Sequence, residues 1–166
     1  MEEGTVVLAD EQTAGRGRFG RSWVSPPGRS IHMTVVLRPP THRLRSLGLL
    51  APVAIARAVE TVTDLQPAIK WPNDVVVGQR KVSRELLLLA LFRELEELYL
   101  ASLRGESAQP EWRRRLVTLG REVRVSSGDR VEEGVAEDAD ANGDLILRRT
   151  DGSRITVSAG DVTLRA

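Results

Sequence analysis

The sequence predicts an α+β protein, a mixed β-sheet packed by helices and followed by a small β-barrel. Three observations carry that expectation. Two β-branched runs lie near the start, two long stretches repeat apolar residues at helical spacing, and short alternating segments divided by turn formers fill the chain after Leu119.

Taken in order, Thr5 to Ala9 and Ile31 to Leu37 read as strands, the second largely buried. Between them, Gln12 to Ser30 is rich in glycine, carries Pro26 and Pro27 and has no apolar period, so it reads as a long functional loop. Leu44, Leu47, Ala51, Ile55, Ala58, Val59 and Val62 predict a helix from Leu44 to Thr63, with Pro52 bending it or marking its first stable turn. Ala68 to Trp71 follows as a strand, which puts Lys70 at a strand end. Val75 to Val77 and Lys81 to Ser83 flank Gly78-Gln79-Arg80 and suit a hairpin. From Ser83 to Arg104, Leu88, Leu91, Leu95 and Leu98 form the apolar stripe of a second helix, with Glu94, Glu96 and Glu97 on its polar side.

Beyond Leu119 the segments Glu122 to Ser126, Val131 to Glu137, Asp144 to Arg149, Arg154 to Ser158 and Val162 to Arg165 read as strands. Ser127-Gly128-Asp129, Asn142-Gly143, Asp151-Gly152 and Ala159-Gly160 separate them as turns. The change of pattern sets a domain boundary, with residues 1–117 as one domain and 118–166 as the other.

Composition narrows the function. Lys and Arg total 24 against 23 Asp and Glu, so the net charge of +1 exerts no global pull on nucleic acid or anionic membrane, and any phosphate recognition is local. The chain has no cysteine, which excludes disulfides, thiolate catalysis and cysteine-based zinc sites. His32 and His42 have no metal-ligand spacing. No apolar run is long enough to span a bilayer, and the expected location is the cytoplasm.

Two short blocks carry the chemistry. In Gly15-Arg16-Gly17-Arg18-Phe19-Gly20-Arg21-Ser22-Trp23 the glycines let backbone approach a ligand closely, and the guanidinium groups can fork onto phosphate or carboxylate oxygens. A solvated loop touching nucleic acid has the same composition. In Lys70-Trp71-Pro72-Asn73-Asp74, Trp71-Pro72 can hold and shield a lysine that neutralises charge on a phosphoryl or carboxylate group. An ordinary strand-end lysine that reaches solvent is the alternative. Asn73-Asp74 has the composition of a turn, Trp23 either stacks on a purine or anchors its loop, and Gln12 is a ligand contact or a plain loop residue.

The order of these pieces, Gln12, then Gly15 to Trp23, then a helix, then Lys70 to Asp74, resembles the catalytic domain of biotin–protein ligases, which has a class II synthetase-like fold. The pattern after Leu119 resembles that family's SH3-like domain. The resemblance implies ATP-dependent formation of biotinyl-5′-adenylate and transfer of biotin to a lysine of a biotin carboxyl carrier domain. It implies that Gln12, Gly15, Arg16, Gly17, Arg18 and Lys70 line the biotin and adenylate site, with Lys70 and Arg18 catalytic. Arg21 and Trp23 would meet the nucleotide, and Trp71, Pro72, Asn73 and Asp74 would shape the motif. Biotin and ATP are the implied substrates and Mg²⁺ the implied ion, although no carboxylate cluster marks its ligands. Closure of the glycine-rich loop would exclude water from the adenylate. A homodimer is compatible with the family.

The chain departs from the family pattern in three places. No Ser/Thr-Thr-Asn motif precedes the first strand, and no winged-helix DNA-binding domain is expected. At Ser83, Lys81-Val82-Ser83 runs directly into Arg84-Glu85-Leu86, where the family has further strands and a Thr-Ser-Leu segment before the leucine-rich helix. A sheet lacking those strands would leave unpaired edges and uncovered apolar faces. Two other readings therefore stand beside the ligase: an inactive remnant serving as a binding module, and a nucleic-acid-binding domain. A lipoate-attachment enzyme shares the fold but not these two blocks.

Overall fold

The computed structural model describes residues 1–17, 22–78, 83–128 and 130–164. It divides into two compact units, Met1–Pro40 and Thr41–Ala166.

In the first unit β1 (Val6–Ala9) pairs antiparallel with β2 (His32–Val35), from Val6 opposite Val35 to Ala9 opposite His32. Gly4 N–H donates to Val36 O and Val36 N–H to Thr5 O, which extends the ladder at its open end. β2 is half-buried rather than largely buried, and Thr34 is exposed. The β-branched run did predict a strand, but burial needs a neighbour, and β1 is the strand that β2 pairs with among the described residues. β1 itself is exposed throughout, with Val6, Val7 and Leu8 at 38, 48 and 51 % of their full accessibility. Among the described residues this sheet has two strands, and the apolar side chains of β1 are left uncovered.

The second unit is built around α1 (Leu44–Val62), which follows a 3-10 turn at Thr41–Arg43. Leu49, Leu50, Pro52, Val53, Ala54, Ala56, Ala58 and Val59 are all buried, so α1 is covered on more than one side. α2 (Arg84–Leu103) packs along it, burying Leu91 and Leu98 of the predicted stripe. Ser83, read from sequence as the end of a strand, is instead the N-cap of α2, its hydroxyl accepting the Leu86 N–H at 3.4 Å. α3 (Gln109–Arg114) had no sequence-based expectation because six residues are too few to show a period.

Charged side chains join these helices. Arg57 on α1 meets Glu111 on α3 at 2.6 Å and Glu94 on α2 at 3.5 Å, while Arg115 meets Glu60 at 2.6 Å and Glu111 at 2.8 Å. Burial pushes the Glu111 carboxyl up, but hydrogen bonds and positive charge from Arg57 and Arg115 outweigh it and hold it below the ordinary range. The network therefore carries its charges in satisfied pairs.

β3 (Ala68–Lys70) and β4 (Asp74–Val76) form an antiparallel hairpin around Trp71-Pro72-Asn73. The hairpin expected around Gly78-Gln79-Arg80 falls on Gln79 to Val82, which lie outside the described residues. The β3–β4 turn falls where it does because Pro72 has no N–H to give a ladder and Asn73 favours a turn. On its other edge β3 makes a parallel bridge, Ile69 with Leu116, so β3 has mixed pairing.

The C-terminal strands are β5 (Glu122–Ser127), β6 (Arg130–Ala139), β7 (Leu145–Arg148), β8 (Arg154–Val157) and β9 (Asp161–Leu164), and all five were expected. They form one antiparallel sheet in the order β8-β7-β6-β5-β9. Val123, Val125, Ala136, Leu145, Leu147 and Val162 fill its inner face by strand alternation. A register shift between Ala136 and Asp138 bends the long β6. Among the described residues no helix is long and apolar enough to cross a membrane.

Candidate functional site

The predicted site residues fall into two groups, one in each unit. In the first, Arg16 bridges Ser22 across the loop, and Trp23 N–H donates to Gly15 O at 3.0 Å, so the loop returns on itself. Gly15 is the point of closest approach. A Cβ there would lie 3.1 Å from Trp23 Cβ and 3.2 Å from both Gln12 Oε1 and Trp23 O. A side chain at Gly15 would therefore press on both Gln12 and Trp23. Gln12, Arg16 and Trp23 are exposed and Gly17 is half-buried, so polar and aromatic surface is presented at the loop base. Arg18 and Arg21 lie outside the described residues.

In the second group Lys70 closes β3, opposite Asp74, and is half-buried. Its two chain neighbours are far more enclosed. Ile69 is fully buried, its N–H donating to Arg115 O at 2.8 Å and its carbonyl accepting Val117 N–H at 3.0 Å. Trp71 is 1 % exposed; its backbone N–H donates to Thr118 Oγ1 at 3.0 Å and its indole Nε1 to Gly143 O at 2.8 Å. Pro72 O accepts the Trp112 indole N–H at 3.1 Å, and the Trp71–Pro72 peptide is cis. Asn73 and Asp74 are exposed at the turn.

Sequence reading did not find Thr118, Gly143 or Trp112. One signal was present in general form: a buried tryptophan needs an acceptor for its N–H, although nothing local says which one. Among the described residues, no group of three or more His, Asp or Glu side chains could hold a metal ion. The arrangement offers a glycine-spaced polar loop in one unit and, in the other, a cationic side chain on a tightly bonded strand end. A loop of the first kind can take an anionic group on its backbone and polar side chains, and a fixed cation of the second kind can neutralise negative charge.

A family model described as the biotin/lipoate A/B protein ligase family matches residues 1–84, and one described as the biotin protein ligase C terminal domain matches residues 118–165. The bifunctional ligase/repressor BirA of Bacillus spizizenii is 47 % identical over 81 residues, which is 48 % of this chain and 25 % of that protein. The chain thus spans about a quarter of that relative's length. A biotin–[acetyl-CoA-carboxylase] ligase of Mycobacterium tuberculosis is 29 % identical over 210 positions, covering 96 % of this chain and 79 % of that one. That alignment is longer than the chain's 166 residues, so tens of the relative's positions face no residue here. Among solved structures, the biotin protein ligase of Aquifex aeolicus in complex with biotin and ATP shares the fold, with a TM-score of 0.79, 22 % identity and coverage of 99 % of this chain and 90 % of that one.

Proposed function

The chain belongs to the biotin/lipoate A/B protein ligase family, and on that premise we propose that it is a biotin–protein ligase. It joins biotin to ATP as biotinyl-5′-adenylate with release of pyrophosphate, then passes the biotinyl group to a lysine of a biotin carboxyl carrier domain with release of AMP. The observation that carries this reading is the seat of Lys70, a half-buried cation at the end of a strand whose flanking residues are both buried and hydrogen-bonded.

In this reading the Lys70 ammonium faces the biotin carboxylate and the α-phosphate. It offsets negative charge as the carboxylate oxygen attacks phosphorus and the bond to pyrophosphate breaks. Backbone of Gly15, Arg16 and Gly17, with Gln12, lines the biotin and adenylate site, and Arg18 completes its cationic side. Arg21 neutralises phosphate and Trp23, exposed at the loop base, offers its face to the nucleotide. Trp71, Pro72, Asn73 and Asp74 shape the turn that ends the strand. Mg²⁺ accompanies the triphosphate, and the described residues give no reason to assign it a step. The division into a catalytic domain over 1–117 and an SH3-like domain over 118–166 is part of the proposal, supported by the switch to strand alternation after Thr118 and by the C-terminal family match. So are the cytoplasmic location and the carboxylase carrier domain as partner. Incubating the chain with biotin, ATP, Mg²⁺ and a carrier domain tests it. Biotin on the carrier lysine supports the reading, and the absence of both products, adenylate and biotinylated carrier, overturns it.

One observation favours a second reading, a binding module without catalysis: β1 exposes Val6, Val7 and Leu8. Titration that finds no heat for biotin or ATP, alongside a cooperative unfolding transition, would support that reading over the first.

A further inference from the structure

We propose that Thr118 and Gly143 are positioning residues for Lys70, holding it in place through Trp71. The inference rests on the reading of Lys70 as the charge-neutralising group. β3 is only three residues long, and a two-stranded hairpin of that size is marginal by itself. Its geometry must come from elsewhere, and the hydrogen bonds show where. Ile69 is bonded on both its N–H and its carbonyl to residues 115 and 117, Trp71 N–H to Thr118 Oγ1, and the Trp71 indole to Gly143 O. Lys70 is thus bracketed on each side by a buried residue whose polar groups end on the segment leading into, or on a turn within, the C-terminal sheet.

Both acceptors are themselves constrained. Thr118 is fully buried, so its hydroxyl has no water to replace Trp71 as a partner. The turn that carries Gly143 is tied by Asp140, whose Oδ1 accepts the N–H groups of Asn142 at 2.8 Å and Asp144 at 2.9 Å. Gln109 on α3 donates to Asp140 O at 3.1 Å. Gly143 has φ of +85°, and a Cβ there would come within 2.5 Å of Leu49 Cδ2 on α1. The glycine lets the turn sit against α1 with its carbonyl aimed at the Trp71 indole. Displacing either acceptor would release Trp71 and, with it, the residue before it.

The test uses the full chain with Thr118→Val, which keeps the shape but removes the acceptor, and Thr118→Ser, which restores it. Lys70 and Lys81 are the chain's two lysines, so competitive acetylation read by peptide mass reports Lys70 directly, with Lys81 as the internal reference. Adenylate formation supplies the second readout. In Thr118→Val we expect Lys70 to label at least about threefold faster relative to Lys81. We expect kcat for adenylate formation to fall about 10- to 100-fold while KM for biotin and ATP moves far less. Thr118→Ser should resemble the parent in both. Unchanged Lys70 labelling in Thr118→Val overturns the proposal, as does an unchanged kcat. If the parent forms no adenylate the ligase reading fails, and labelling alone then decides whether Thr118 holds Lys70. If Thr118→Val does not fold, Trp71→Phe removes the indole donor to Gly143 together with part of the ring volume, and the same two readouts decide in the same sense.

Discussion

The indole Nε1 of Trp71 donates to the carbonyl of Gly143 at 2.8 Å, joining the residue beside Lys70 to a turn 72 positions further along the chain. Both ends of this bond are buried or held, so it fixes a direction as well as a distance. In the proposed reaction Lys70 meets a carboxylate and a phosphate at once, and that role needs such a frame, since misplacement by about 1 Å can cost about a hundredfold in rate.

Lys70→Ala should lower the rate of biotinyl-adenylate formation by about a hundredfold or more, with little change in thermal unfolding because the side chain is half-buried and ends a strand. Single-turnover measurement of pyrophosphate release checks it. Lys70→Arg should not restore the rate, because a planar guanidinium does not occupy the place of a compact ammonium. A fully active alanine variant would remove Lys70 from the mechanism.

Gly143→Ala should destabilise the fold by about 2 kcal/mol, combining a strained positive φ with overpacking. The added methyl group would meet Leu49 Cδ2 at 2.5 Å. Urea unfolding followed by tryptophan fluorescence reads the loss. The Trp71 signal itself should shift, since its hydrogen-bond acceptor moves.

The charge network makes stability depend on acid. The Glu111 carboxyl lies below its ordinary value, because the hydrogen bonds and charge of Arg57 and Arg115 outweigh the opposing effect of burial. A depressed carboxylate contributes stability in full above its unfolded value of about 4.3 and loses it as the pH falls through the folded value. Melting temperature should therefore drop as the pH falls below about 5. The Glu111→Gln variant should be about 2 kcal/mol less stable than the parent at neutral pH, because Arg57 and Arg115 are left short of a charged partner. The variant's acid dependence should be correspondingly shallower, which differential scanning calorimetry across pH can measure.

Exposed β1 should be tolerant of polar change. Val7→Thr is expected to alter stability by less than about 0.5 kcal/mol, since Val7 is 48 % exposed. The same change should reduce self-association, because it removes apolar surface from a strand that could pair with another chain. Light scattering against concentration would show this, and a large loss of stability would mean that β1 is covered in solution.

Sequence alone determined the two long helices, the five C-terminal strands and the identity of the two motif blocks, because apolar period and turn chemistry are written in neighbouring residues. It located Lys70 at a strand end for the same reason. It read Ala68 to Trp71 and Val75 to Val77 as strands without pairing them with each other, and the structure pairs β3 with β4 around Pro72 and Asn73. It also overestimated the burial of β2, which depends on how many strands lie beside it. The supports of Lys70 were decided by tertiary structure alone. Thr118 and Gly143 stand 47 and 72 positions from Trp71, and hydrogen bonds over such separations leave no local trace in composition or spacing.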